Sequence, residues 1–227
     1  MTSANDAPAS HNTRESLKQP TAFPDLRTAG RELARQLAPY QGIPDLLVLG
    51  IALAGVPVAH EVSAHLGAPL DLVIIRRLLV PEGYGSQSCA VSIAGTMVLD
   101  EGIELATSPS TPLEVFLAEA ITELEQRAGI CRNERPAAKL AGRTVLLIDC
   151  GIRTGSTMRA AAQALRQLQP RQIIAAVPVS SHEGHAAVSH LFDEFVCLGQ
   201  PEEFVNAGFW YRDFRRPGDE AVGELLG

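Results

Sequence analysis

The stretch "VLLIDCGIRTGSTMRAAAQAL", Val145 to Leu165, holds the residues best suited to chemistry. It reads as a buried strand ending in Asp149, a loop of small residues, and a helix. Gly151 and Gly155 let a backbone turn tightly and approach a ligand, while Thr154, Ser156 and Thr157 bring hydroxyl donors to the amides of a helix start. Such a loop is an anion cradle, suited to a phosphate monoester. A carboxylate at the strand end, Asp149, is placed to accept hydrogen bonds from a sugar diol while the loop holds the sugar's phosphate; capping a turn is its plain structural alternative. The loop lacks GxxxxGK[ST] and GxGxxG, and Ser156 stands where a Cys-x5-Arg phosphatase would carry its arginine.

Those residues need a sheet edge to stand on. "DLLVLGI" and "LDLVIIRRL" are short continuous apolar runs separated by "VPVAHEVSAHLGAP", a helix stopped by Gly67 and Pro69, so the three form a βαβ unit. Ahead of them, Leu26, Ala29, Leu33 and Leu37 recur at helical spacing until Pro39 and Gly42 end the run. The alternation resumes with "TVLLID", a helix from about Ser156 to Gln167, "QIIAAVPV", a helix near Glu183 to His190 that Ser180 and Glu183 open as a capping box, and "EFVCL". Thr111, Pro112 and Glu114 open another helix, expected to run to about Arg127. The expected fold is a doubly wound α/β domain with a mainly parallel sheet of about five strands. Residues 80 to 110, Gly/Ser loop followed by short β-like runs, are expected to form a small β-rich hood outside that sheet. The domain is drawn from 23 to 214, with a disordered tail at 1–22 and a second tail at 215–227.

Composition excludes several classes of function. The 227 residues carry a formal charge of -7, which argues against a nucleic-acid partner, because phosphate backbones are met by basic faces. Hydrophobic residues make up 46% and charged residues 20%, a globular balance, and no apolar run reaches the roughly 18 residues of a membrane span. Without a membrane segment or a secretory leader in the first residues, a cytoplasmic location is the expectation. Four scattered cysteines, Cys89, Cys131, Cys150 and Cys197, show neither a CxxC pair nor zinc-finger spacing.

"VLLIDCGIRTGST" resembles the phosphate and ribose binding motif of the type I phosphoribosyltransferases: an apolar strand, two acidic residues, a short loop and Thr-Gly-x-Thr. With "FPDLRTAGRELARQL", "AGVPVAHEVSAHLGAPLDLVIIRRL" and "FVNAGFWYRDF", the resemblance extends from about Phe23 to Phe214 and is to a bacterial subgroup of uncharacterised phosphoribosyltransferases. It implies attack of a nitrogen nucleophile on phosphoribosyl pyrophosphate, with Mg2+ bound alongside that donor and pyrophosphate leaving. On this reading Asp149 is the catalytic carboxylate and ribose ligand. Cys150, Gly151, Ile152, Arg153, Thr154, Gly155, Ser156 and Thr157 complete the phosphate and ribose loop. Leu53, Ala54 and Gly55, with Arg76 and Arg77 on the neighbouring strand, fall at the pyrophosphate side. The partner is a small phosphorylated sugar or nucleotide, and the family's habit of pairing implies a homodimer.

Two positions depart from the pattern. Cys150 stands at the second acidic position, and a neutral thiol is a poor hydrogen-bond partner for ribose hydroxyls or hydrated magnesium. If the chain is an active transferase, an aspartate restored there should be tolerated or helpful. In the loop after the first strand the subgroup carries Pro-Arg-Gly-Gly, where this chain has Ala52-Leu53-Ala54-Gly55, so a cation is missing at the leaving group. Both losses keep open a second reading, a catalytically weakened member that binds a phosphorylated sugar or nucleotide in a regulatory role. Phe209, Trp210 and Tyr211 are expected to pack over the sheet, and Tyr84 lies in a Gly-rich segment suited to a flap.

Overall fold

The computed structural model describes residues 23–51, 53–78, 88–93, 96–99, 112–133 and 135–227. Its centre is a sheet with strand order β4-β3-β2-β1-β5-β6-β7: β1 (Leu46–Ile51), β2 (Leu70–Leu78), β3 (Ser88–Ile93), β4 (Thr96–Leu99), β5 (Thr144–Ile148), β6 (Gln172–Val179) and β7 (Glu194–Gly199). The five strands β2, β1, β5, β6 and β7 run parallel. Every residue of β1 and β5 is buried, the mark of parallel strands covered on both faces.

Two apolar layers cover the sheet. On one side α1 (Leu26–Gln36) and α2 (Gly55–Leu66) pack Leu26, Leu33, Val58 and Val62 against Leu46, Val48, Leu146 and Ile148. On the other, α4 (Ser156–Gln167) lays Met158, Ala161 and Leu165 over Leu47, Leu49, Val145 and Leu147. These strand residues alternate between the faces as the pleat requires. A third cluster gathers Leu124, Ala128 and Cys131 of α3 (Pro112–Arg132), Val56 of α2, Leu72 and Ile74 of β2, and Val222 and Leu226 of α6 (Asp219–Leu226).

Three expectations need correction. The described part of the hood is a hairpin, β3–β4, that continues the main sheet: β3 pairs antiparallel with β2 from Val73↔Ile93 to Leu78↔Ser88. It covers an edge of β2 that would otherwise expose unpaired backbone groups. Residues 215–227 hold α6, docked through Val222 and Leu226, because burying those side chains repays the ordering of eight residues that would not stay helical alone. And α3 runs on to Arg132, whose Nε donates to Asp71 Oδ1 at 2.9 Å and whose Nη2 donates to Leu72 O at 3.1 Å. Asp71 also accepts from Ala138 N at 2.8 Å, so this buried ion pair is fully partnered and pins the end of α3 to β2. Tyr84, with most of the segment assigned to a flap, lies outside the described residues, as does the stretch 1–22.

Candidate functional site

The loop after β5 is held from below by the turn after β6. Ile152 N donates to Val179 O at 3.0 Å and Ser181 N to Ile152 O at 2.9 Å, an isolated bridge that carries the β5–β6 pairing past Asp149. The Ser181 hydroxyl donates to Arg153 O and accepts from Gly184 N, so Ser181 both staples the loop and caps α5 (His182–Val188). The cap expected at Ser180 therefore falls one residue later; Ser180 is fully buried beneath the loop. Gly155 sits at φ +77, and a Cβ there would meet Val188 Cγ1 at 2.4 Å, so both conformation and space demand glycine. Without a side chain it gives α4 no capping oxygen, and an anion is the partner that suits the amides of that first turn. Asp149, Gly151 and residues 152–158 line a pocket of about 150 Å³ here, with the Thr154 and Ser156 hydroxyls 3.4 Å apart.

Asp149 forms the floor. Its Oδ1 accepts from Cys150 N at 2.7 Å. Burial pushes its carboxyl up to about 6, a rise opposed by that hydrogen bond and by the charge of Arg216. Cys150 is 7% exposed and belongs to the apolar layer with Val179, Trp210 and Tyr211; burial first, and the neighbouring Asp149 next, push its thiol well up. Its carbonyl accepts from the Tyr211 hydroxyl. The residue at the second acidic position is thus held as a core side chain. Trp210 and Tyr211 pack over the sheet as expected.

Asp149 also borders a larger cleft of about 550 Å³, whose walls include Leu53, Ala54, Ile75, Gly151 and Thr157. Gly55 brings the loop after β1 close: a Cβ there would meet Ile148 O at 2.9 Å and Asp149 Cα at 3.2 Å. Leu53 packs on the third apolar cluster, so this loop contributes backbone and apolar surface. The backbones of Arg76 and Arg77 lie in β2 opposite Ala90 and Cys89, and their side chains fall outside those described. The structure adds Arg127, Asn206, Phe214 and Arg216, which line the same cleft and which the sequence reading left out. Arg127 reaches it because α3 buries Leu124, Ala128 and Cys131 on α2 and α6, setting position 127 at the edge of that stripe. The sequence signal for Arg216 is the helix start that follows it, Pro217-Gly218 before Asp219 and Glu220.

Among the described residues no group of three or more His, Cys, Asp or Glu could hold a metal ion. A magnesium ion takes oxygen ligands and keeps much of its shell in water and substrate phosphates, so the donor set here fits one held by a phosphorylated ligand, without a direct protein ligand, as the sequence reading expects. Among the same residues no helix is long and apolar enough to cross a membrane.

The chain that builds this doubly wound sheet, with its phosphate-sized pocket and strand-end carboxylate, matches a known family model. The phosphoribosyl transferase domain aligns with residues 16–208, and the chain belongs to that family. It is 35% identical over 205 residues to the "Putative phosphoribosyl transferase Rv0571c" of Mycobacterium tuberculosis H37Rv and, to the same degree, to the protein MT0597 of strain CDC 1551. The match covers 90% of this chain, which spans only 46% of the length of those relatives. The crystal structure of TT1426 from Thermus thermophilus is similar at 36% identity and a TM-score of 0.75, over 90% of this chain and 97% of that one.

Proposed function

We propose that this chain transfers the phosphoribosyl group of phosphoribosyl pyrophosphate to a nitrogen acceptor, with magnesium entering on the donor. The observation that supports the reading is the adjacency of the two cavities: a phosphate-sized pocket shares Asp149, Gly151 and Thr157 with a cleft large enough for the rest of a sugar diphosphate. The 5-phosphate sits on Thr154, Gly155, Ser156 and Thr157, and the Asp149 carboxylate accepts from the ribose hydroxyls. Magnesium supplies charge neutralisation on the leaving diphosphate. The chain's own contribution is to fix the sugar between the two ends and hold its diol against a carboxylate, because an oxocarbenium-like transition state gains most from positioning and preorganised charge.

The test is calorimetric titration with phosphoribosyl pyrophosphate, with and without magnesium, on the parent chain and on Asp149→Ala. Micromolar binding that needs magnesium and is lost in the variant is expected. The affinity should also rise as pH increases through about 6, where Asp149 loses its proton and becomes a full acceptor, and this rise should be shallower in Asp149→Asn, which keeps only the titration of the ligand's own phosphate near the same pH. Identical profiles in the parent and in Asp149→Asn would remove Asp149 from the ribose. The burial of Cys150 favours the second reading, a member that binds a phosphorylated sugar or nucleotide and regulates. Binding of ribose 5-phosphate or a nucleoside monophosphate, with none of the diphosphate donor, would establish it and sink the first.

A further inference from the structure

The donor just proposed is anionic at both ends, and the loop after β5 accounts for one of them. At the other, Leu53 and Ala54 bring no charge. We infer that Arg127 and Arg216, which reach the cleft from α3 and from the segment entering α6, form its diphosphate-binding pole in place of a cation on the loop after β1. The inference rests on the donor reading.

Among the described residues these two guanidinium groups are the cations lining the 550 Å³ cleft and Asp149 is the carboxylate in that lining, while Asp219 offsets the charge of Arg127 from beside it. Both cavities share Asp149, Gly151 and Thr157, so a ligand fixed by its phosphate at residues 154–157 extends toward the arginines. The guanidinium of Arg127 is preset. Its Nε donates to Asp219 Oδ1 at 2.9 Å and Oδ2 at 3.0 Å, a contact that fixes the side chain through Nε rather than through the Nη groups a phosphate would take. Asp219 is thus a positioning residue, and it stands at the first turn of α6. Arg216 lies 5.3 Å from the centre of the Phe214 ring, a cation–π contact that restrains the side chain without using its forked donors. Arginine stays charged at any working pH and matches phosphate oxygens in pairs, so two of them suit a diphosphate. The α6 helix then completes the site, because it holds Arg127 and anchors the segment bearing Arg216.

Inorganic pyrophosphate, phosphoribosyl pyrophosphate and ribose 5-phosphate are titrated into the full chain and into Arg216→Gln, Arg127→Gln and Arg127→Lys. Each glutamine variant is expected to lose at least about tenfold in affinity for the two diphosphates and to hold ribose 5-phosphate within about twofold, with Arg127→Lys falling between. Retained ribose 5-phosphate binding shows that the variant is folded; Arg216 is exposed, so its removal leaves the core intact. Unchanged diphosphate binding in both glutamine variants, an equal loss for all three probes, or a parent chain that does not bind pyrophosphate overturns the inference. A parent that binds pyrophosphate and rejects phosphoribosyl pyrophosphate defeats the donor reading while leaving the arginine pole in place. The reverse, donor binding indifferent to both arginines, defeats the pole alone.

Discussion

The loops after β1 and after β5 leave the same edge of two adjacent parallel strands, and both lead into helices whose starts have no side-chain cap. At each a glycine permits contact that no other residue would: Gly155 against Val188, Gly55 against Ile148 and Asp149. The loop around Gly155 carries the hydroxyls of Thr154, Ser156 and Thr157; the loop around Gly55 carries Leu53 and Ala54, and the Asp149 carboxylate reaches it from the end of β5. Both loops thus need a glycine, one to turn and the other to pack against the end of β5, while the loop after β5 alone carries polar side chains of its own. Where the second loop is bare, arginines arrive from α3 and the chain's last segment. Shape and charge in such a site come from different parts of the sequence.

The sharpest way to break this comparison is to add one methyl group at each glycine. Gly155→Ala places a side chain in the left-handed region, which costs about 1–2 kcal/mol, and against Val188 Cγ1 at 2.4 Å, an overpacking of similar size. A loss of about 3 kcal/mol in urea unfolding is expected, with no ribose 5-phosphate binding left. Gly55→Ala is not conformationally strained but pushes α2 away from the end of β5, and should cost about 1–2 kcal/mol. If the two variants are equally damaged, the left-handed conformation at Gly155 adds nothing to the contact both glycines avoid.

Cys150 gives the next largest effect. The sequence suggests that an aspartate would be welcome there, and the structure argues otherwise: the side chain is 7% exposed, among Val179, Trp210 and Tyr211, with the Asp149 carboxylate beside it. Cys150→Asp should cost about 2 kcal/mol more than Cys150→Ser at pH 7.5, and the gap should narrow at pH 5, where a buried carboxyl escapes its charge by binding a proton. Equal melting of the two variants at pH 7.5, with tighter donor binding in the aspartate form, would mean that the position is an acid site stripped of its acid.

What could be read from the sequence follows from how local each signal is. The α4 span and the run of small residues at 149–157 were legible because an apolar strand, glycines and helical spacing lie within about 20 residues of one another. The βαβ unit was legible for the same reason. The docking of α6 was not, since Val222 and Leu226 mean nothing until α3 and α2 present a surface for them. Antiparallel pairing of β3 on β2 was equally hidden, because short β-like runs do not say which edge they join. Arg127 escaped notice as one cation on a helix whose end was placed five residues too early, and it is held by Asp219 of α6, an element the sequence reading took for tail. The two arginines of the cleft were thus the least legible part of the site, being placed by tertiary packing, whereas Asp149 was marked by the strand it ends.

The smallest expected effect is also the most direct test of whether the two loops serve one ligand. Leu53 is partly buried on the third apolar cluster, and an arginine can keep its stem on that surface while its head reaches the cleft, so Leu53→Arg should change stability by less than about 1 kcal/mol. A cation there adds a charge-assisted contact at a solvent-open position, worth about fivefold in pyrophosphate affinity. In the Arg216→Gln background the same substitution should recover most of the affinity lost, because either arginine then answers the same pair of phosphates. Additive gains in both backgrounds would mean that position 53 and Arg216 meet different oxygens. No gain in either would place the diphosphate away from the loop after β1, and the likeness between the two glycine loops would then be one of backbone only.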